Sequence, residues 1–187
     1  MESFITSLTV VGLAEIGDRT QLLSLLLASR YKKPATIIAA IFLASLLNHA
    51  IAGELGAVIG KYLSPDILRY ILGISFIATA VWMLKPDKLE SEDVKIKKSY
   101  GAFAASFVAF FLAEIGDKTQ IATIQLAAKF PDLLAVISGT TLGMMAANVP
   151  VVLMGNGLAK KLPIRLIHII AAIIFATLGV LALFNIV

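Results

Sequence analysis

The chain contains no cysteine among its 187 residues, only two histidines and a single tryptophan. Without cysteine no disulfide can form, and thiolate metal centres of the zinc or copper(I) type are excluded. His49 and His168 lie far apart and in different surroundings, so they make no histidine-rich motif of a metal-dependent hydrolase. Charge is scarce too: Asp, Glu, Lys and Arg make up 15% of the chain, against about 25% in soluble domains. These shortages argue against an enzyme and against any resident cofactor.

What the chain has in abundance is apolar surface. Hydrophobic residues make up 59% of it and the mean hydropathy is +0.92, where soluble domains sit near about 45–50% apolar. Lipid is therefore the expected solvent. The pI near 9.4 comes from lysines and arginines gathered in short breaks between apolar runs, which suits a membrane surface and not a nucleic acid. The N-terminus lacks the basic start of a signal peptide, and Glu15 and Asp18 interrupt its apolar stretch. It reads as part of the mature chain.

A helix that spans a bilayer needs about 20 mainly apolar residues. Six segments meet that length: Phe4–Ala28, Ala35–Gly60, Ile67–Leu84, Gly101–Ala128, Leu133–Leu158 and Leu166–Ile186. Pro34, Pro65, Pro86, Pro131 and Pro163 fall in or beside the breaks, where a missing N–H costs little. Pro150 falls inside the fifth segment, where a kink is expected. Breaks one, three and five carry Arg30, Lys32, Lys33, Lys85, Lys88, Lys95, Lys97, Lys98, Lys160, Lys161 and Arg165. Breaks two and four carry only Lys61, Arg69 and Lys129. The positive-inside rule then places both termini outside.

The sequence repeats itself. Glu15-Ile16-Gly17-Asp18 returns as Glu114-Ile115-Gly116-Asp117, an offset of 99 from 15 to 114. The same offset pairs Phe4 with Phe103, Gln21 with Gln120, Ala28 with Ala127, Gly56 with Gly155, Lys61 with Lys160 and Phe76 with Phe175. Three helices per half is an odd number, so the second half enters the membrane upside down. The expected fold is an all-α polytopic membrane protein with six transmembrane helices in two inverted three-helix repeats. Residues 1–85 form the first repeat, 86–100 a cytoplasmic linker and 101–187 the second repeat, integrated in one membrane domain.

Glu15, Asp18, Glu114 and Asp117 lie at mid-helix, where a charge costs several kcal/mol unless it is paired, hydrated or turned inward. Glu15, Asp18 and Gln21 share a helical face, and Glu114, Asp117 and Gln120 repeat the stripe. Where two such helices cross, four carboxylates and two amide oxygens converge as a hard-oxygen site for Mn²⁺, Ca²⁺ or Mg²⁺. Arg19 and Lys118 stand at i+4 from Glu15 and Glu114, either neutralising them directly or serving as counter-ions and gates. Gly17 and Gly116 allow close packing or local unwinding. Thr20 and Thr119 face away from the acids unless the helix distorts at the glycine. Asn48, His49 and Asn148 read as hydrogen-bond links between helices, or as outer support and a proton relay for the site; His49 aligns with Asn148. Glu54 aligns with Leu153 and lies outside the symmetric set. The Gly56–Gly60 and Gly139–Gly143 pairs read as close-packing motifs, and Phe76, Trp82, Tyr70 and Tyr100 as lipid-facing or interfacial anchors.

With its paired motifs at Glu15–Thr20 and Glu114–Thr119, the chain resembles the Gdt family of membrane cation/proton exchangers, within the lysine-exporter superfamily. The resemblance covers essentially the whole length, and Arg19 in place of lysine fits the family pattern. It implies Mn²⁺, or Ca²⁺, transported as substrate in exchange for H⁺ by alternating access, with export from the cytoplasm. The short chain resembles prokaryotic members, which implies a bacterial or archaeal plasma membrane. The superfamily keeps open an alternative, export of a cationic organic solute such as an amino acid. Membrane lipid and the cation are the expected partners, with a homo-oligomer left open.

Overall fold

A computed structural model describes residues 1–85, 101–154 and 163–184, and every regular element among them is a helix. These are α1 (Glu2–Glu15), α2 (Arg19–Tyr31), α3 (Pro34–Tyr62), α4 (Pro65–Met83), α5 (Ala102–Glu114), α6 (Lys118–Lys129), α7 (Leu133–Met154) and α8 (Ile164–Leu183). Proline starts α3 and α4, where the first-turn N–H would be unsatisfied in any case. Four helices, α3, α4, α7 and α8, are long and apolar enough to cross a membrane. They match the second, third, fifth and sixth expected segments. The expected linker 86–100, Tyr100, Gly155, Lys160, Lys161 and the C-terminal end of the fifth segment lie outside the described residues.

The first and fourth expected segments are each broken in two. At 14 and 13 residues, α1 and α2 reach only about 20 Å apiece, short of a hydrocarbon core of about 30 Å. The break falls on the repeated motif in both places, so the glycines unwind the helix. α7 runs on through Pro150.

Helices from the two sequence halves interleave. α1 packs on α7, α3 on α5, α6 and α7, and α4 on α8. Lipid tails are as apolar as leucine, so helix association here rests on close van der Waals fit and hydrogen bonds. Glycines provide that fit. A Cβ on Gly139 would lie 2.6 Å from the Phe4 carbonyl, and one on Gly143 2.6 Å from that of Leu8. Gly56 and Gly60 press α3 onto the carbonyls of Ile124 and Ala128 in α6, and Gly73 and Gly179 bring α4 against α8. Both GxxxG pairs are thus packing surfaces.

Phe76 corrects one expectation. It is fully buried and meets Phe175, its repeat partner, with ring centroids 6.1 Å apart. Trp82 and Tyr70 are exposed as expected. An apolar cavity of about 400 Å³ opens between α1 and α7, lined by Leu8, Gly12, Ile16, Gln21, Ala147 and Pro150 among others.

Candidate metal centre

Each motif folds as a tight turn between two half-helices. Ile16 has φ −67°, ψ 116° and Gly17 φ 85°, and the Asp18 N–H donates to the Glu15 carbonyl at 3.0 Å. Ile115 has φ −64°, ψ 119° and Gly116 φ 75°, with Asp117 N–H donating to the Glu114 carbonyl at 3.1 Å. These are the dihedrals of a type II β-turn, whose third position needs positive φ and therefore glycine. The order Glu-Ile-Gly-Asp now has a local cause. Glu closes one half-helix, Ile-Gly makes the turn, and Asp stands at the N-cap of the next half-helix.

The turn redirects the neighbouring side chains. Thr20 Oγ1 donates to Glu15 Oε2 at 2.8 Å, and Thr119 Oγ1 to Glu114 Oε2 at 3.0 Å. Both threonines therefore face the acids, which an uninterrupted helix would have prevented. Gln21 and Gln120 lie differently from the carboxylates: their Oε1 atoms accept from the Gly17 and Gly116 N–H groups at 3.0 and 2.7 Å. Gln21 Nε2 also donates to the Ala147 carbonyl at 3.0 Å, and Gln120 Nε2 to Asn48 Oδ1 at 3.4 Å. The glutamines thus brace the turns against α7 and α3.

Three carboxylates meet between the halves. Oxygens of Glu15, Glu114 and Asp117 lie within 4.8 Å of one another, and all three residues are buried. One oxygen of each glutamate, Glu15 Oε1 and Glu114 Oε1, has no hydrogen-bond partner among the described residues. Buried acceptors of that kind are costly unless a cation or proton reaches them.

The basic residues form ion pairs across the halves. Lys118 Nζ lies 3.2 Å from Asp18 Oδ1, and Arg19 Nη2 lies 3.4 Å from Asp117 Oδ1. Arg19 Nη2 also donates to the Ala113 carbonyl at 2.6 Å. The turn between Glu and Arg/Lys removes the continuous helical face on which the expected i,i+4 pairing depends. The two cations are not equivalent. Lys118 is 1% exposed, whereas the Arg19 side chain is 28% exposed.

Asn48 and Asn148 occupy matching roles. Each Nδ2 donates to the carbonyl four residues back in its own helix, Ala44 at 3.2 Å and Met144 at 3.1 Å. Asn148 Nδ2 also approaches Glu15 Oε2 at 3.4 Å and Asn48 Nδ2 the Phe111 carbonyl at 3.2 Å. His49 sits elsewhere, buried beside Thr141 with Nδ1 3.3 Å from Oγ1. The structural equivalence is therefore Asn48 with Asn148, one residue away from the sequence offset. Glu54 is exposed on α3 and takes no part in this constellation. Two residues escaped the sequence reading: Ser24, whose Oγ donates to Asn148 Oδ1 at 2.8 Å, and His168, whose Nε2 lies 2.8 Å from the Ile16 carbonyl. Ser24 had a visible signal, since Thr123 stands at the same offset; His168 aligns with Arg69 and had none.

The profile of the family described as "Divalent cation/proton antiporter GDT1" matches residues 3–91 and 102–187. A Vibrio cholerae protein described as a "putative manganese exporter" is 58% identical over 179 residues, covering 95% of this chain and 88% of that protein. The Synechocystis GDT1-like protein sll0615 is 25% identical, with 97% of each chain covered. GDT1-like protein 3 of Oryza sativa is 27% identical over 98% of this chain and 74% of its own length. No solved structure matches the chain. A membrane protein with apolar helices, paired acidic turns and matches of this extent belongs to the GDT1 family of divalent cation/proton antiporters.

Proposed function

We propose that the protein moves a divalent cation, Mn²⁺ first among candidates, out of the cytoplasm in exchange for H⁺, through one site built by two inverted halves. In this reading α1 with α2, and α5 with α6, each complete one membrane crossing, giving six in all, with both termini outside. The observation that carries it is the approach of Glu15, Glu114 and Asp117 to within 4.8 Å in a buried setting.

The chemistry follows from charge balance. Glu15, Asp18, Glu114 and Asp117 bring four negative charges, and Arg19 and Lys118 return two positive ones. The remainder is balanced equally by one divalent ion or by two protons. Two unit charges 4.8 Å apart repel by about 3 kcal/mol at an effective dielectric of about 20, so the acids compete for whatever cation is present. Hard carboxylate oxygens suit Mn²⁺, Ca²⁺ and Mg²⁺; the manganese assignment leans on the Vibrio relative's description.

In the resting arrangement Lys118 and Arg19 hold the aspartates of the opposite half. An arriving metal takes those carboxylates over, the crossed pairs release, and the halves rock. Protons entering from the far side then displace the metal. Gln21, Gln120, Thr20, Thr119, Asn48 and Asn148 keep the turns and the glutamates in place. The test is flux in proteoliposomes carrying an internal Mn²⁺ indicator and a pH dye. Mn²⁺ movement must be coupled to opposite H⁺ movement, and competition by lysine in place of metal would favour the organic-cation alternative.

A further inference from the structure

The two turns share one backbone geometry, yet they are covered differently. At the first, His168 of α8 contacts the Ile16 carbonyl at 2.8 Å, and Ile164, one turn earlier, occupies the space beside Gly17. A carbonyl can only accept, so Nε2 of His168 carries the hydrogen. At the second turn, among the described residues, no atom beyond Gly116 and its chain neighbours lies within 4 Å of the place a Cβ on Gly116 would take, and Ile115 is 53% exposed.

Arg69 of α4 stands 99 residues before His168. It is turned to its own helix: Nη2 lies 3.4 Å from Asp66 Oδ1 and 3.1 Å from Tyr70 Oη, and the guanidinium sits 4.7 Å from the Tyr70 ring centroid. Its Nε is buried and has no hydrogen-bond partner among the described residues. Two identical turns with opposite cover are what a two-state exchange between repeats would leave in any single conformation.

We propose that His168 is a positioning residue that holds the first turn closed under α8, and that Arg69 takes the same part at the second turn when the halves exchange conformations. The inference rests on the alternating-access reading above. It makes α8 and α4 the alternating covers of the site.

The chain has no native cysteine, so introduced thiols report cleanly. Ile16→Cys and Ile115→Cys, made singly, are reacted in detergent with a small charged maleimide. Ile115→Cys should react the faster. Adding His168→Ala should speed modification at Ile16→Cys about tenfold, the population change that one such hydrogen bond supports, and slow it at Ile115→Cys. His168→Gln, which keeps an N–H donor, should restore the original rates. In proteoliposomes the pair Arg69→Cys with Ile115→Cys should cross-link under a Mn²⁺ gradient with an opposed pH gradient, and not without them.

A rise at both positions in His168→Ala means general loosening and overturns the proposal. So does failure of the Arg69→Cys and Ile115→Cys pair to cross-link while Mn²⁺ flux persists. If wild-type protein moves no Mn²⁺ but the two labelling rates still shift in opposite directions, the transport reading fails and the role of His168 stands.

Discussion

Replacing Lys118 tests the crossed ion pairs most directly. At 3.2 Å from Asp18, and with both side chains 1% exposed, the pair's Coulomb attraction is about 5 kcal/mol at an effective dielectric of about 20. Desolvation offsets much of that, but removing one partner strands a charge and costs about 3–5 kcal/mol. For a chain of this size each kcal/mol moves the midpoint by about 2–4 °C, so Lys118→Gln should lower Tm by about 10 °C. Asp18→Asn in the same background should recover most of that loss, because it removes the stranded charge. The assay is a double-mutant cycle on thermal unfolding in detergent, run for Lys118 with Asp18 and in parallel for Lys118 with Glu114. The first coupling should exceed the second by about 2 kcal/mol, since an ordinary i,i+4 helix pair contributes only about 0.3–0.5 kcal/mol. Larger coupling of Lys118 with Glu114 than with Asp18 would refute the crossed arrangement and return each cation to its own helix. Arg19, more exposed, should give a weaker cycle with Asp117, about 1 kcal/mol.

Glu15→Gln and Glu114→Gln should each nearly abolish Mn²⁺ flux while leaving the protein folded, because an amide keeps the shape and loses the charge; wild-type flux in either would remove the glutamates from the site. Metal affinity should fall with acidification by up to about tenfold per pH unit for each proton displaced, and calorimetric binding that is flat with pH would exclude proton competition. Gly17→Ala and Gly116→Ala both force a side chain into positive φ, at about 1–2 kcal/mol each. Gly17→Ala must also displace Ile164, adding about 1–3 kcal/mol of overpacking, so it should melt lower than Gly116→Ala; the reverse order would contradict the packing of α8 on the first turn.

Much of the site was legible because the acids stand out. A carboxylate inside an apolar run is costly, and four of them, at a fixed spacing and repeated, mark a candidate cation site. GxxxG spacing likewise marked where α3 meets α6 and α1 meets α7. The turn was less legible. A glycine flanked by apolar residues fits an unbroken helix by periodicity, and its positive φ declares itself only when Asp18 N–H closes on the Glu15 carbonyl. Once the helix breaks, helical-face arguments lapse, which is why Thr20 turns toward the acids and Arg19 away from Glu15. The pairing of Asn48 with Asn148 shows the same limit at finer grain. Repeat alignment places His49 opposite Asn148, but the rotation of each helix, fixed by its neighbours, decides which side chain reaches the centre. Phe76 was misplaced for a similar reason: an aromatic near a helix middle meets lipid or its repeat partner according to tertiary contact alone.

The exchange of counter-ions between the halves bears on how such a chain could arise. Lys118 answers Asp18 and Arg19 answers Asp117, so each half supplies a counter-ion to the aspartate of the other. A single half, with one glutamate–aspartate turn and one basic residue, could form these crossed pairs only against a second copy of itself. The two halves now differ in that counter-ion, a buried lysine in one and a partly exposed arginine in the other. The hydrogen-bonded threonines, by contrast, are alike in both halves, each holding the glutamate of its own turn.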